Sequence, residues 1–183
     1  MEFDYLKNNK KRFKILDKLY KTIGEGSSRR VYLLPDGKVI KIPITVGGFY
    51  QNKNEIKIYK KYNNENGILN KLYLDESDPK GAFVIQDYIN PIRTPLKFNN
   101  LIFNSYDICS DIKEVLQLIS RTKKKQYQVF LYGLIELEKV LKIDRVPDLY
   151  DENVGTKKGK ILLLDYGYTK DLISKKNYYK EIA

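Results

Sequence analysis

Two short runs near the start of the chain, RVYLL at 30–34 and KVIKI at 38–42, are rich in β-branched and apolar residues, and PDG lies between them. That pattern predicts a β-hairpin with a turn at 35–37. Residues 4–20 have the spacing of a short amphipathic helix running into the first strand, and residues 48–63 repeat it, with Ile56 and Glu55 each sharing a face with Tyr59. LNKLYLDES and GAFVIQDYI, residues 69–77 and 81–89, are expected to form two further strands around the turn SDPKG. Residues 20–89 thus read as a small sheet with one helix. The pattern then changes. NPIRTP, with two prolines, marks a boundary. Residues 105–120 place Ile108, Ile112, Val115, Leu116 and Ile119 along one helical stripe, with Ser105 or Asp107 as a cap. Residues 126–142 form a more apolar and hence more buried helix, in which Gly133 permits close packing. A short hairpin and a charged tail follow. The fold class is α+β, divided at 1–90 and 91–183.

Composition narrows the chemistry. At 183 residues, with 42% hydrophobic and 31% charged residues, the chain is that of a folded protein of one domain or two small lobes. No apolar stretch approaches a membrane span, and MEFDYLKNNKKRFK lacks the form of a signal peptide. Cys109 is the single cysteine, so a reducing compartment and no internal disulfide are expected. There is no histidine, which rules out Ser-His-Asp and Cys-His catalysis and H-E-x-x-H zinc sites. A metal would need oxygen donors, favouring magnesium, calcium or manganese. A general base would be Asp, Glu, Lys or Tyr. The net charge of +11 invites a nucleic-acid partner, but the basic clusters at 7–14, 121–125, 157–160 and 175–176 are scattered and carry no recognition motif. A solvated surface is the favoured reading.

Three places could carry chemistry. In GEGSSRRVY, Gly24 and Gly26 would let backbone amides approach a phosphate, although an ordinary turn also accounts for them. Lys41 shares a strand face with Val39, opposite Ile40 and Ile42, and would need a carboxylate in a cleft; Glu55 is the candidate, and an exposed pair is the alternative. In VPDLYDENVG and LLLDYG, Asp148, Asn153 and Asp165 are oxygen-rich positions that could converge on a metal. A turn aspartate ending a strand is the simpler reading of Asp165.

Taken in order, these elements resemble the protein-kinase-like fold over roughly residues 20–170. Gly24, Gly26 and Val31 occupy the first, third and eighth positions of G-x-G-x-x-G-x-V; Lys41 follows as in V-A-I-K; Glu55 lies on the next helix; DLYDEN is similar to D-L-x-x-x-N and DYG to D-F-G. The resemblance implies that Gly24 and Gly26 cover the ATP phosphates and that Lys41 binds them while pairing with Glu55. It implies that Asp165 and Asn153 hold Mg²⁺, and that Asp148 orients the acceptor hydroxyl and takes its proton. Gln86 would guard the back of the adenine pocket, and backbone groups of Asp87 and Ile89 would bind the adenine edge. GGFYQNKNEIKIYKKY also resembles short kinase-like proteins of phages, which implies a cytoplasmic protein, in the host cytoplasm if viral.

The chain departs from the family at several points. Arg29 stands at the third loop glycine, Val146 and Pro147 replace His and Arg before the catalytic aspartate, and the 16 residues after Gly167 contain no A-P-E motif. The expected function is Mg-ATP-dependent phosphoryl transfer to a protein or small-molecule hydroxyl. The alternatives are a pseudokinase acting as a binding or inhibitor protein, and, from charge alone, a nucleic-acid-binding protein.

Overall fold

The computed structural model describes residues 12–62, 67–91, 112–142, 149 and 153–167. These residues form an α+β fold in two compact units that interleave along the chain. The first holds residues 12–57, 71–88 and 167; the second holds the described residues of 58–70 and 89–166. Among the described residues, no helix is long and apolar enough to cross a membrane.

The first unit is built on an antiparallel sheet of β1 (Lys21–Glu25), β2 (Arg29–Leu33), β3 (Lys38–Pro43) and β4 (Val84–Asp87), in that spatial order. The PDG turn forms as the residue types demand: Gly37 adopts a positive φ of 76°, and the Asp36 carboxylate accepts the Lys38 N–H. Tyr32, Ile40, Ile42 and Ile85 point to one face, where they pack with Leu16 of helix α1 (Arg12–Leu19), Leu34, Ala82 and Phe83. Each fully buried aliphatic or aromatic side chain there contributes about 1.5–3 kcal/mol. Helix α2 (Val46–Tyr62) follows β3 and gives its first three turns to this unit.

Residues 69–77 do not form the strand expected of them. Their pairing is limited to two isolated bridges, Leu69 to Leu163 and Leu72 to Gln86, and a turn interrupts the run at 74–76. The cause is a side chain that takes over the ladder: Ser77 Oγ accepts the Ile85 N–H at 2.9 Å and donates to the Tyr73 carbonyl at 2.7 Å. Asp78 likewise accepts the Ala82 N–H.

The second unit is mainly helical. Helices α3 (Ile112–Arg121) and α4 (Lys125–Leu141) pack with the last turn of α2, Ile68 and the hairpin β5 (Val154–Lys157)–β6 (Lys160–Leu163). Val115 and Ile119 are buried, whereas Leu116, placed on the same stripe by spacing, is exposed, being turned about 100° from Val115. Gly133 permits close approach, since a Cβ there would collide with Ile68, and its carbonyl accepts the Tyr62 hydroxyl. The basic run at 157–160 is the hairpin turn itself: Lys158 and Gly159 both have positive φ, as a type I′ connection requires. Residues 4–11 and 105–111, with Ser105, Asp107 and Cys109, lie outside the described residues, as does most of the NPIRTP segment.

Candidate functional site

Sheet register sets the candidate residues of the first unit. Gly24 pairs with Val31, Val31 with Lys41, and Lys41 with Val84, so these four residues form one rung across the sheet. Cross-strand partners share a face. Two residues along, Val39 pairs with Gln86 on that same face. The face opposite the Ile40–Ile42 core therefore carries Val31, Lys41, Val39 and Gln86.

Helix α2 brings Glu55 to this face. Lys41 Nζ lies 3.0 Å from Glu55 Oε1, with side-chain exposures of 7% and 0%. Gln86 donates from Nε2 to Glu55 Oε2 at 2.9 Å. Arg29 Nη1 also binds Glu55 Oε1, at 2.9 Å, and donates to Asn52 Oδ1 at 3.0 Å. Asn52 in turn donates to the carbonyls of Lys41 and Gly81. Burial of a carboxylate is tolerable only with such partners, since an uncompensated buried charge costs several kcal/mol, on the order of 3–5 when one partner is removed.

The glycine loop is open. Gly26 N–H donates to the Arg29 carbonyl at 2.9 Å, closing the link between β1 and β2. A Cβ on Gly24 or Gly26 would meet nothing within 4 Å, and neither residue has a positive φ. Neither packing nor backbone conformation requires glycine there. At the other end of the sheet, the Asp87 N–H donates to the Lys71 carbonyl and its carboxylate accepts the Tyr73 hydroxyl at 2.9 Å. Burial and that hydrogen bond to Asp87 hold the Tyr73 pKa above its ordinary value.

Gly167, the last residue of DYG, belongs to the same unit. Its carbonyl accepts Asn54 Nδ2 at 2.9 Å, and a Cβ on it would lie 2.7 Å from Glu55 Cγ and collide with the Gln51 carbonyl. The glycine is required here by close approach to helix α2.

In the second unit, the β5–β6 hairpin sets Asn153 beside the strand end that leads to Asp165. Val154 pairs with Leu163, and the Leu164 N–H donates to the Asn153 carbonyl at 2.8 Å. Both Asn153 and Asp165 are partly exposed, at one end of the hairpin. They are oxygen donors suited to a hard cation, although no group of three or more His, Cys, Asp or Glu that could hold a metal occurs among the described residues. Ile89 is buried, with its Cγ2 2.7 Å from where a Gly155 Cβ would lie. Leu149 is buried in the apolar core, whereas Asp148, Val146 and Pro147 lie outside the described residues.

Sequence reasoning passed over Arg29, Asn52 and Gln51. A signal existed. Arg29 is two residues from Val31, so strand alternation puts these two on one face, which the register then sets beside Lys41, and Gln51, Asn52 and Glu55 form an i, i+1, i+4 polar stripe on α2.

No protein-family model matches the chain, and no curated protein matches its sequence. Among solved structures, the Mycobacterium tuberculosis PknI kinase domain is 12% identical with a TM-score of 0.40, over 83% of this chain and 59% of that one. Choline kinase LicA from Streptococcus pneumoniae is 17% identical with a TM-score of 0.42, over 90% of this chain and 69% of that one. The chain thus spans 59% of the PknI kinase domain's length.

Proposed function

We propose that this protein is a kinase-like phosphotransferase that uses Mg-ATP to phosphorylate a hydroxyl on a protein or small molecule. The observation that carries the reading is the rung Gly24–Val31–Lys41 with its lysine held by a buried glutamate. A lysine so placed is anchored, and the backbone at Gly24 and Gly26 is uncrowded, a Cβ there meeting nothing within 4 Å. Lys41 binds the α- and β-phosphates. Gly24 and Gly26 offer backbone N–H groups to the phosphates. Val31 packs on the base, Gln86 closes the back of its pocket, and backbone groups of Asp87 and Ile89 bind its edge. Asp165 and Asn153 would supply oxygens to Mg²⁺, which would neutralise charge on the phosphates. Asp148 orients the acceptor hydroxyl and takes its proton. Mg-ATP, when bound, supplies the γ-phosphoryl group.

Titration calorimetry with Mg-ATP, together with transfer from γ-labelled ATP into a cell lysate, tests the reading. Asp165→Asn weakens Mg-ATP binding and abolishes transfer. Asp148→Asn retains binding and loses about 10²–10⁴-fold in transfer rate. No heat and no thermal shift with millimolar Mg-ATP and the wild-type protein would remove the nucleotide reading. Full transfer by a folded Asp148→Asn protein would remove the phosphotransferase assignment.

A further inference from the structure

Arg29 stands where the loop motif has its third glycine, yet its side chain is as buried as that of Lys41. It reaches from the first residue of β2 to two residues of α2, Asn52 and Glu55, through one nitrogen, Nη1. The residue before it makes a second connection. Ser28 Oγ donates to Gln51 Oε1 at 2.8 Å, and the Ser28 carbonyl accepts the N–H of Ile44 at 2.8 Å and of Thr45 at 3.4 Å. Gly48, in the first turn of α2, lies so close to the Ser28 carbonyl that a Cβ there would collide with it. Three successive inward residues of the helix, Gln51, Asn52 and Glu55, are therefore tied to two successive residues of the strand start.

We propose that Arg29 is a positioning residue that clamps helix α2 and keeps Glu55 on Lys41 before any nucleotide or activating input arrives. In its nucleotide-binding consequence this rests on the phosphotransferase reading. The physical argument is one of shared charge. Glu55 Oε1 receives both cations, so the carboxylate cannot turn away from Lys41 without also breaking its buried ion pair with Arg29. An outward swing of the helix would break the Ser28–Gln51, Arg29–Asn52, Arg29–Glu55, Lys41–Glu55 and Gln86–Glu55 bonds together. A helix whose swing acts as a switch needs two states separated by a few kcal/mol; here one state holds all five bonds. The lysine–glutamate pair is thus constitutively assembled.

The test uses the whole protein without nucleotide first. In Arg29→Met, hydrogen exchange of the α2 amides at 46–57 accelerates about tenfold or more, while exchange in β4 stays as in wild type. Arg29→Lys, which keeps the charge but has one terminal nitrogen in place of the fork, restores part of the protection. With nucleotide, Arg29→Met raises the Kd for Mg-ATP by roughly 5–150-fold, the range of ordinary coupling between sites, and the Arg29→Met/Glu55→Gln double variant binds no more weakly than Glu55→Gln alone. Unchanged α2 exchange in both variants, or acceleration spread evenly over the whole first unit, overturns the proposal. So does an additive loss in the double variant. If Arg29→Met does not fold, Arg29→Lys carries the same comparisons. Should the wild-type protein fail to bind Mg-ATP, the phosphotransferase reading falls, and the exchange data still decide whether Arg29 clamps the helix.

Discussion

Around Phe130 and Leu134 the second unit buries a continuous apolar cluster, whereas around Glu55 the first unit buries two cations, a carboxylate and three amide side chains. The first unit has no shortage of apolar packing, because the other face of its sheet supplies it through Tyr32, Ile40, Ile42 and Ile85. Buried ion networks are weak sources of stability compared with apolar residues of equal volume. A chain that could fold on one apolar sheet face, and still commits the other to charge, is holding side chains in position rather than adding stability. The second unit shows the opposite priority, with Ile68 pressed so close to α4 that glycine is needed at 133.

The largest effect expected from breaking that contrast is Phe130→Ala. Phe130 is 1% exposed in the apolar cluster, and its truncation costs about 3–5 kcal/mol in chemical denaturation. Mg-ATP affinity per folded molecule stays as in wild type. Gly133→Ala comes next: its Cβ meets Ile68, and overpacking of this kind costs about 1–3 kcal/mol in the same assay. Gly24→Ala is its counterpart in the first unit. The new methyl meets nothing, so stability stays level or rises by about 0.4–1 kcal/mol. On the proposed reading Mg-ATP binding by calorimetry falls, because a methyl there would crowd the phosphates that the Gly24 backbone receives. A stability loss without a binding loss would reverse the comparison.

The smallest effect is one of pH, on the apolar sheet face. Burial pushes the Tyr32 pKa up to about 12, with its hydrogen bond to Asp17 adding to the rise and its hydrogen bond from Arg30 opposing it. Its unfolded value is about 10. The folded state therefore favours the protonated phenol, and the resulting stability is complete below pH 10 and lost as pH rises toward 12. Tyr32→Phe has no such group. Its stability relative to wild type should improve between pH 10 and 12, measured by denaturant midpoints; a constant difference across that interval would contradict the assignment.

What could be read in advance follows a physical line. Periodicity and turn chemistry announced the PDG hairpin, α2 and α4, since these depend on neighbours in sequence. The failed strand at 69–77 depended on Ser77, whose hydroxyl displaces a backbone partner of Ile85, a contact eight residues distant that alternation does not encode. Lys41 and Glu55 were legible as a pair because one strand and one helix of ordinary geometry suffice to join them. Arg29 was not, because SSRRVYL offers two arginines and only the register decides between them: Arg29 faces Lys41's side, while Arg30 faces Asp17 and Glu25. Asn153 and Asp165 share a hairpin end, which spacing suggested, but the role assigned to each remains part of the proposal.

Gly167 has a consequence for biosynthesis. It is a piece of the first unit that follows the second unit in the chain, joined to Asn54 by a hydrogen bond spanning 113 residues. A ribosome making this protein releases α2 early, and Asn54 and Glu55 then wait for their late neighbour while most of the second unit is synthesised. Closing so long a loop is slow relative to local pairing. Completion of the first unit therefore waits until residue 167 has been made and released, and a nascent chain halted before it carries a helix α2 that lacks one of its packing partners.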